Sequence, residues 1–563
     1  MANFLEDLDA KLGDILAGWN SLTILLGLGC LAFFVYTLYD MEDADTHPML
    51  LLRQSSAGQV RQPGESTIYR ANDTPAGYPL KTGLNVKPPS APLYSPGQDG
   101  DLRDVWRRVR GELPARDLEG KGKLLTVLGK EEVEEHDVEE VTKEIVAVGE
   151  SLVQHGCKRV AVYLPNSVEF LSTVFAATFY GATPILLPFN QPHETIVSLL
   201  RETNADALVA QAGSLPLSDV IKSGSSLQQV IWVVEKTSRH VDWTEVPGDV
   251  GGKTEVCVWH DLVADHRNGS ELPKDIPGGK LGGLVTIWQD QPGAEGEIVE
   301  FSQQNMVSGI GAAVTALPPR QRMTPADQFL AADSFSDMYT LTLTLAALFS
   351  LSTVVINSVA GPGVDLSLAA RQVSPTIIVA SAESMAKLHA TTSAGVTGSL
   401  KQFAHYTQTK ALGAGRMPAD TLLTRLNAPT KASIGATPGK LRLVFTSEKI
   451  GGNTPPLTSI DLNDLRVFTG ARIIYALTAA KVAGAVSQTS IFDYRREDGN
   501  KHSHFGPPMG SVEIKLVDTK DHKISDEGNP VGEIVVWGPA VAGATAKLGI
   551  VGTFRDDQTL AYI

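Results

Sequence analysis

Apolar and polar positions alternate on different scales along this chain, and each scale predicts a different element. From Ser21 to Tyr39 the run SLTILLGLGCLAFFVYTLY carries no charge, close to the ~20 apolar residues a helix needs to cross ~30 Å of hydrocarbon. Trp19 precedes it and Tyr36 and Tyr39 close it, where amphipathic rings favour a membrane interface. The leading region is acidic (Glu6, Asp7, Asp9, Asp14) and no A-x-A-like site follows, which argues against a cleaved signal peptide. The pattern predicts a permanent transmembrane anchor over 21–39 behind an N-terminal flank, 1–20. Lys11 and Arg53 nearly cancel across the run, so the charge rule leaves its orientation open. Residues 40–104 are rich in Pro, Gly, Ser and polar side chains without a sustained period, the composition of a flexible linker lying along the surface.

From Leu124 the scale changes to helical segments alternating with short β-rich runs. Val133, Val138, Val141, Ile145, Val148 and Leu152 recur at three- to four-residue spacing before Gly156, predicting a helix from about Glu131 to His155. A strand over Arg159–Leu164, a helix over Ser167–Tyr180 and a strand over Ala182–Leu187 follow, with Pro165-Asn166-Ser167 as the cap and Gly181 as the exit. A helix over 194–203 and strands at 207–210, 230–234 and Val256–Trp259 continue the alternation. Repetition of this kind predicts a parallel sheet covered by helices, here the large domain, 105–563.

Composition narrows the function. The 563 residues carry 48 Lys+Arg against 63 Asp+Glu, a net charge of −15, and no long basic block offsets it, so nucleic acid is excluded as an expected partner. With only Cys30, Cys157 and Cys257, neither a disulfide framework nor a Cys-ligated zinc site is available, and the bulk of the chain suits a reducing compartment.

The stretch VAVYLPNSVEFLSTVFAATFYGATPILLPFNQPHETIVSLLRETNADALVA, Val160 to Ala210, resembles the first subdomain of the adenylate-forming superfamily of acyl-CoA synthetases, luciferases and peptide-synthetase adenylation domains. Asp327–Leu348 resembles the helix entering the acyl pocket, Ser374–Leu388 the strand and helix after it, and LRLVFTSEKIG (Leu441–Gly451) the strand before the nucleotide. ARIIYALTAA (Ala471–Ala480) falls on the Tyr-Gly-x-Thr-Glu motif, and Gly506–Asp518 and Gly532–Val541 complete a collinear series from about 120 to 563. The resemblance implies an α/β fold with two doubly wound sheet subdomains and a smaller β-rich subdomain from about 485 to 563. It also implies ATP, Mg²⁺ and coenzyme A as the family's cofactors.

Against that pattern the chemistry is depleted. The family's Thr-Ser-Gly-Thr-Thr-Gly-x-Pro-Lys-Gly loop cradles the triphosphate. Anchoring on Val299, Ser302 and Asn305 puts WQDQPGAEGEIV (Trp288–Val299) there, with Glu297 at the Lys position. Asp290, Glu295, Glu297 and Glu300 would oppose a polyanion. In YALTA the Tyr475 and Thr478 of the motif remain, but its magnesium-binding Glu is Ala479, which leaves no oxygen for a hard cation. Leu548-Gly549-Ile550 falls on the ribose-binding Thr-Gly-Asp, unless the register shifts to Asp556 or Asp557. The histidine sometimes found at the family's acyl-pocket helix is replaced here, with Asp337 near its place in DSFSDMYTL. The sequence stops at Ile563, close to the family's hinge, so the lysine-bearing C-terminal lid domain is expected to be absent.

The residual nucleotide site would comprise Ser302, Asn305, Tyr475 and Thr478. Beside it stands a plainer reading, in which Tyr475 and Thr478 pack a strand end and Ser302 and Asn305 start a helix. Gly251-Gly252-Lys253-Thr254 lacks the leading Gly of a phosphate loop, since Pro247 stands there. His502 and His504 read as a polar surface loop, and no G-x-S-x-G elbow supports Ser-His-Asp catalysis. The sequons at Asn72 and Asn268 would matter only in a lumenal protein.

Together these features predict a membrane-anchored, catalytically degenerate ligase-like protein that binds an acyl chain or a protein partner, with no catalytic residues, cofactor or metal of its own. The alternative is an active ATP-dependent long-chain fatty acid–CoA ligase. The expected location is an intracellular membrane such as the endoplasmic reticulum, single-pass, with the large domain cytosolic.

Overall fold

The computed structural model describes residues 18, 20–40, 43–88, 90–92, 94–114, 122–128, 132–216, 220–221, 226–234, 254–266, 271–277, 279–291, 293–418, 431–525 and 528–563. The flank 1–17, Trp19, Gly251–Lys253 and Asn268 lie outside them. The chain divides into two compact units, Met1–His47 and Pro48–Ile563.

In the first unit a helix spans Ser21–Asp40, and its start is fixed by Asn20, whose Oδ1 accepts from the amides of Leu22 and Thr23 at 3.0 Å. Leu22, Leu25 and Phe33 are each about two-thirds exposed or more. The helix forms where the uncharged run predicts it, but the membrane span is not supported. Among the described residues no helix is long and apolar enough to cross a membrane. The side chains of Tyr36 and Tyr39 lie outside the described residues.

The second unit is built on three sheets. The first runs, in order, Glu297–Phe301, Leu284–Trp288, Thr183–Leu186, Arg159–Tyr163, Ala207–Gln211, Gln229–Val233 and Glu255–Val258, parallel throughout except for the first pair. The second runs Ser487–Gln488, Arg472–Thr478, Leu443–Lys449, Ile377–Val379, Gln328–Ala331, Thr353–Asn357, Leu124–Leu128 and Glu132–His136, parallel in the middle and antiparallel at both edges. Two helices without a polar face serve the layers between sheets: Val168–Phe179 buries every residue but Glu169, and Met338–Phe349 buries all of them. A helix apolar all round must be covered on every side. Ser167 caps the first of these at Phe170 N (3.1 Å), and Gly181 leaves it at φ +77°, where a Cβ would lie 2.8 Å from Ile276.

The third sheet is antiparallel and holds Glu513–Val517, Val531–Trp537, Thr545–Phe554 and Leu560–Tyr562, the β-rich subdomain expected near the end of the chain. Its other edge comes from the stretch whose composition suggests a tether: Ser55–Ala57 pairs with Tyr69–Ala71, which meets Ile514. Arg61 and Arg70 both reach the buried carboxylate of Glu513, at 2.9 and 2.7 Å, and the Tyr69 ring lies on Phe554 with centroids 3.6 Å apart. Side-chain pairing to distant residues supplies here what local periodicity lacks.

The helix expected over Glu131–His155 is two elements. Glu132–His136 is an edge strand paired with Leu124–Leu128, and the helix is Val138–Gln154, capped by Asp137. His136 bonds Thr126 across the ladder (2.8 Å), a partner invisible to helical spacing. Similarly, Trp259 opens a helix rather than closing the strand, which ends at Val258.

Three helices of this unit are tied by one carboxylate. His389 in Ala382–Ser393 and His405 in Ser399–Gly413 approach opposite oxygens of Asp464 in Ser459–Thr469, at 3.2 and 3.3 Å, with Asp461 3.7 Å from His389. The bond to Asp464 holds His389 above the usual imidazole value against burial. Burial alone would raise Asp464, but the two imidazoles hold its carboxyl down to about 2. A raised imidazole contributes fully below about pH 6.5 and loses that contribution as pH rises through its folded value. The depressed carboxyl contributes above about pH 4 and loses it toward about 2. His389→Gln should therefore lower the melting temperature more near pH 5.5 than near pH 8 in scanning calorimetry; equal losses would remove the imidazolium from the tie.

Candidate functional site

In the second sheet, parallel strands deliver their C-terminal ends to one crevice, the position where open α/β sheets place their chemistry. Asp333 follows Gln328–Ala331, Ser381 follows Ile377–Val379, Glu448 and Lys449 close Leu443–Lys449, and Ala479 follows Arg472–Thr478. These strands are buried up to this edge apart from Gln328 and Arg472 at their starts.

The charges at this edge satisfy one another. Asp337 caps the helix Met338–Phe349, its Oδ1 accepting from Tyr339 N and Thr340 N at 3.1 Å, while its Oδ2 meets Lys449 Nζ at 2.6 Å. Asp333 is 5% exposed and accepts from Ser334 N at 2.8 Å. Burial raises its carboxyl above the ordinary range, with Lys449 opposing and Asp337 reinforcing. Burial would lower Lys449, but Asp337 and Asp333 together hold its ammonium above the usual lysine value. The ammonium also lies 5.8 Å from the centroid of Trp288, at the start of the loop expected to meet phosphate. Glu448, pushed up to about 6 by burial, accepts a hydrogen bond from Tyr475 Oη at 2.9 Å.

Tyr475 and Thr478 are brought together around Glu448. Tyr475 is completely buried, 5.2 Å from the Phe505 ring, and Thr478 Oγ1 donates to the carbonyl of Glu448 at 2.9 Å. Ala479 is buried with no oxygen to offer from its side chain. Ser302 and Asn305 make their bonds elsewhere, as a reciprocal cap on the helix Gln303–Thr315. Asn305 Nδ2 also donates to the carbonyls of Pro539 and Val541 at 2.7 and 3.1 Å. Both borders an open groove of about 890 Å³ that Trp537 and Gly538 also line.

In the loop region Glu297 pairs with Lys481 at 2.9 Å and Glu300 with Arg159 at 3.4 Å, while Gly293 N donates to Gln191 Oε1 at 2.5 Å. Leu548, Gly549 and Ile550 lie within the strand Thr545–Phe554, Gly549 at φ +68°. Asp557 accepts from Thr559 Oγ1 at 2.7 Å and pairs with Arg495 at 2.7 Å. His502 and His504 are not a surface loop. His504 is 3% exposed with Nε2 3.2 Å from Asp493, and His502 packs edge-on against Tyr562 with Nδ1 3.9 Å from Glu448. Sequence reasoning missed Glu448 and Lys449, although two adjacent charges ending the apolar run LVFTS were their signal.

Where the resemblance puts an acyl pocket, the helices Gln303–Thr315 and Met338–Phe349 meet the Ala483–Ala485 turn. The space left is about 10 Å³, roughly one water. A Cβ on Gly309 would lie 2.2 Å from the Ala483 carbonyl, and one on Gly484 3.2 Å from Thr342. The Tyr339 hydroxyl beside it is buried and has no hydrogen-bond partner among the described residues.

The family model described as AMP-binding enzyme matches residues 126–268 and 298–544. No curated protein matches the chain in sequence. Solved structures share its fold: a long-chain-fatty-acid-CoA ligase from Archaeoglobus fulgidus (TM-score 0.58, 12% identity, 86% of each chain covered), and an anthranilate CoA ligase in complex with anthranoyl-AMP (TM-score 0.57, 14% identity, 84% of this chain and 78% of that one). VinN in complex with L-aspartate is similar too (TM-score 0.54, 14% identity, 86% of this chain and 99% of that one). A doubly wound body with its polar edge at the strand ends, matched over most of its length by the family model, places the chain in the AMP-binding enzyme family.

Proposed function

We propose that this chain is a member of that family that no longer adenylates a carboxylate and instead works by binding a protein partner while attached to an intracellular membrane. The observation that carries the reading is the closed set of charges at the strand ends. A magnesium-bound polyanion needs free cations and a spare carboxylate. Lys449 is engaged by Asp337 at 2.6 Å, Lys481 by Glu297, and Ala479 offers no oxygen ligand. The residues present do not fit Mg·ATP, and the family match is interrupted from 269 to 297, the span that contains the phosphate-loop position. A protein partner is favoured over an acyl chain because the space between the two buried helices is about 10 Å³.

Membrane attachment rests on the Ser21–Asp40 helix, whose leucines and phenylalanines are exposed along its described length. Exposed apolar side chains in such density favour lipid over water. A cytosolic large domain is supported by its cysteines, Cys157 and Cys257, which are free rather than paired in a disulfide.

The second reading, an active long-chain fatty acid–CoA ligase using ATP, Mg²⁺ and coenzyme A, is favoured by the shared fold with the Archaeoglobus fulgidus enzyme. Mg·ATP distinguishes the two. A ligand at 100 times its Kd adds about 2.7 kcal/mol of stability, which calorimetry detects easily. No shift is expected at millimolar Mg·ATP, and no pyrophosphate on adding a long-chain fatty acid. Either signal would overturn the noncatalytic reading.

The ion pair itself gives a structural prediction. Lys449→Met leaves Asp337 and Asp333 without their cation and should cost about 3 kcal/mol, since removing one partner strands a buried charge. Adding Asp337→Asn should recover part of that loss. Urea denaturation of both variants measures the coupling, and strictly additive losses would mean the pair is not the lock described here.

A further inference from the structure

We propose that Glu448 and His502 form a proton-operated latch, in which uptake of one proton closes the gap between them to a hydrogen bond and tightens the loop 499–506 against the end of the strand Leu443–Lys449. Glu448 is 4% exposed at that strand end, and its Oε2 lies 3.9 Å from His502 Nδ1. The separation is too long for a hydrogen bond and short enough for one charge to feel the other. His502 Nδ1 is itself buried, with no hydrogen-bond partner among the described residues. The ring is held in place, edge-on to Tyr562 with centroids 5.1 Å apart and tilted toward Phe505 at 6.4 Å. A buried nitrogen without a partner, facing a buried carboxylate, is an arrangement that one proton completes.

Both groups are placed to share that proton. Burial pushes Glu448 up to about 6, and burial together with the Lys501 charge holds His502 below the usual imidazole value. The other groups facing them do not compete. Tyr475, which donates to Glu448 at 2.9 Å, and Tyr562 are held above the usual phenol value by burial and by the Glu448 charge, so both stay protonated. Glu383, from the helix Ala382–Ser393, opposes ionisation of Glu448, and Lys501 favours it. Only with Glu448 charged and His502 protonated do the two attract. The first proton therefore belongs on Nδ1, directed at Oε2, and the second waits for lower pH. The loop passes the contact on. Phe505 N donates to the Leu560 carbonyl at 2.7 Å and Leu560 N to the Gly506 carbonyl at 2.9 Å, so the strand Leu560–Tyr562 is bonded to the segment that the latch pulls.

The test follows the Cε1 signal of His502 by NMR in the full chain with isotope-labelled histidine, titrated from about pH 8 to about pH 5, with His502→Gln identifying the signal. Glu448→Gln keeps an acceptor for Tyr475 but removes the charge. It should lower the His502 midpoint by about one pH unit, a tenfold loss of proton affinity. Amide hydrogen exchange at Phe505 and Leu560 reads the closure. The ratio of wild-type to Glu448→Gln protection there should be larger at about pH 5.5 than at about pH 7.5. A His502 midpoint that Glu448→Gln leaves unchanged would mean that each group titrates alone and would overturn the latch, as would equal protection ratios at the two pH values. Should Glu448→Gln not fold, the wild-type chain decides by itself. The Phe505 and Leu560 amide shifts should follow the His502 midpoint, and amides that titrate elsewhere or not at all would overturn the proposal.

Discussion

Lys449 and Asp337 meet at 2.6 Å because three independent constraints converge on one carboxylate. The helix Met338–Phe349 is apolar all round and buried, so its first amides cannot turn to water and need an acceptor within the protein. Asp337 supplies it with one oxygen and is left with a second oxygen and a full charge in a site where its side chain is 7% exposed. Lys449 arrives from the strand Leu443–Lys449, two strands away in the sheet order, and neutralises that charge. Asp333, between them in the electrostatic balance, is kept from ionising readily by burial. The pair thus joins a helix start to a strand end across the intervening strand Ile377–Val379.

The same economy governs the packing beneath it. Gly309 lets its helix lie against the Ala483 carbonyl, and Gly484 lets the turn approach Thr342. Close approach of this kind removes volume, and dense interiors gain dispersion contacts from doing so. A chain with room for an acyl tail between these helices would have to forgo those contacts. The void of about 10 Å³ is lined by Tyr339, whose hydroxyl has no partner among the described residues, and it is about the size of a single water.

Much of the fold was legible because its strands are short, apolar and regularly spaced. Arg159–Tyr163, Thr183–Leu186 and Ala207–Gln211 appear where alternation puts them, within a residue or two of the expected bounds. What stayed hidden depends on partners far away in sequence. Tyr69–Ala71 is three residues long and owes its place to Glu513 and Phe554, so no local period could reveal it. Glu132–His136 satisfies a helical spacing through Val133 yet pairs as an edge strand, because ladder bonds to Leu124–Leu128 outweigh a single well-placed valine. At the site, motif positions led to Tyr475, Thr478 and Ala479, which lie on and just after the strand Arg472–Thr478. The motif could not show that Tyr475 is spent on Glu448, since that contact joins neighbouring strands through residues 27 apart.

These contacts also constrain how the site could change. Replacing Ala479 by a carboxylate would add an acid at the end of the strand that neighbours the one ending at Glu448, and like charges at a poorly solvated edge raise one another's pKa. Freeing Lys449 for a phosphate would strand Asp337, which cannot be removed without uncapping a buried helix. Freeing Tyr475 would leave Glu448 buried without its donor, where an unsatisfied group costs about 1–3 kcal/mol. Each of these single changes therefore costs stability. The arrangement behaves as one interlocked unit whose members must change together.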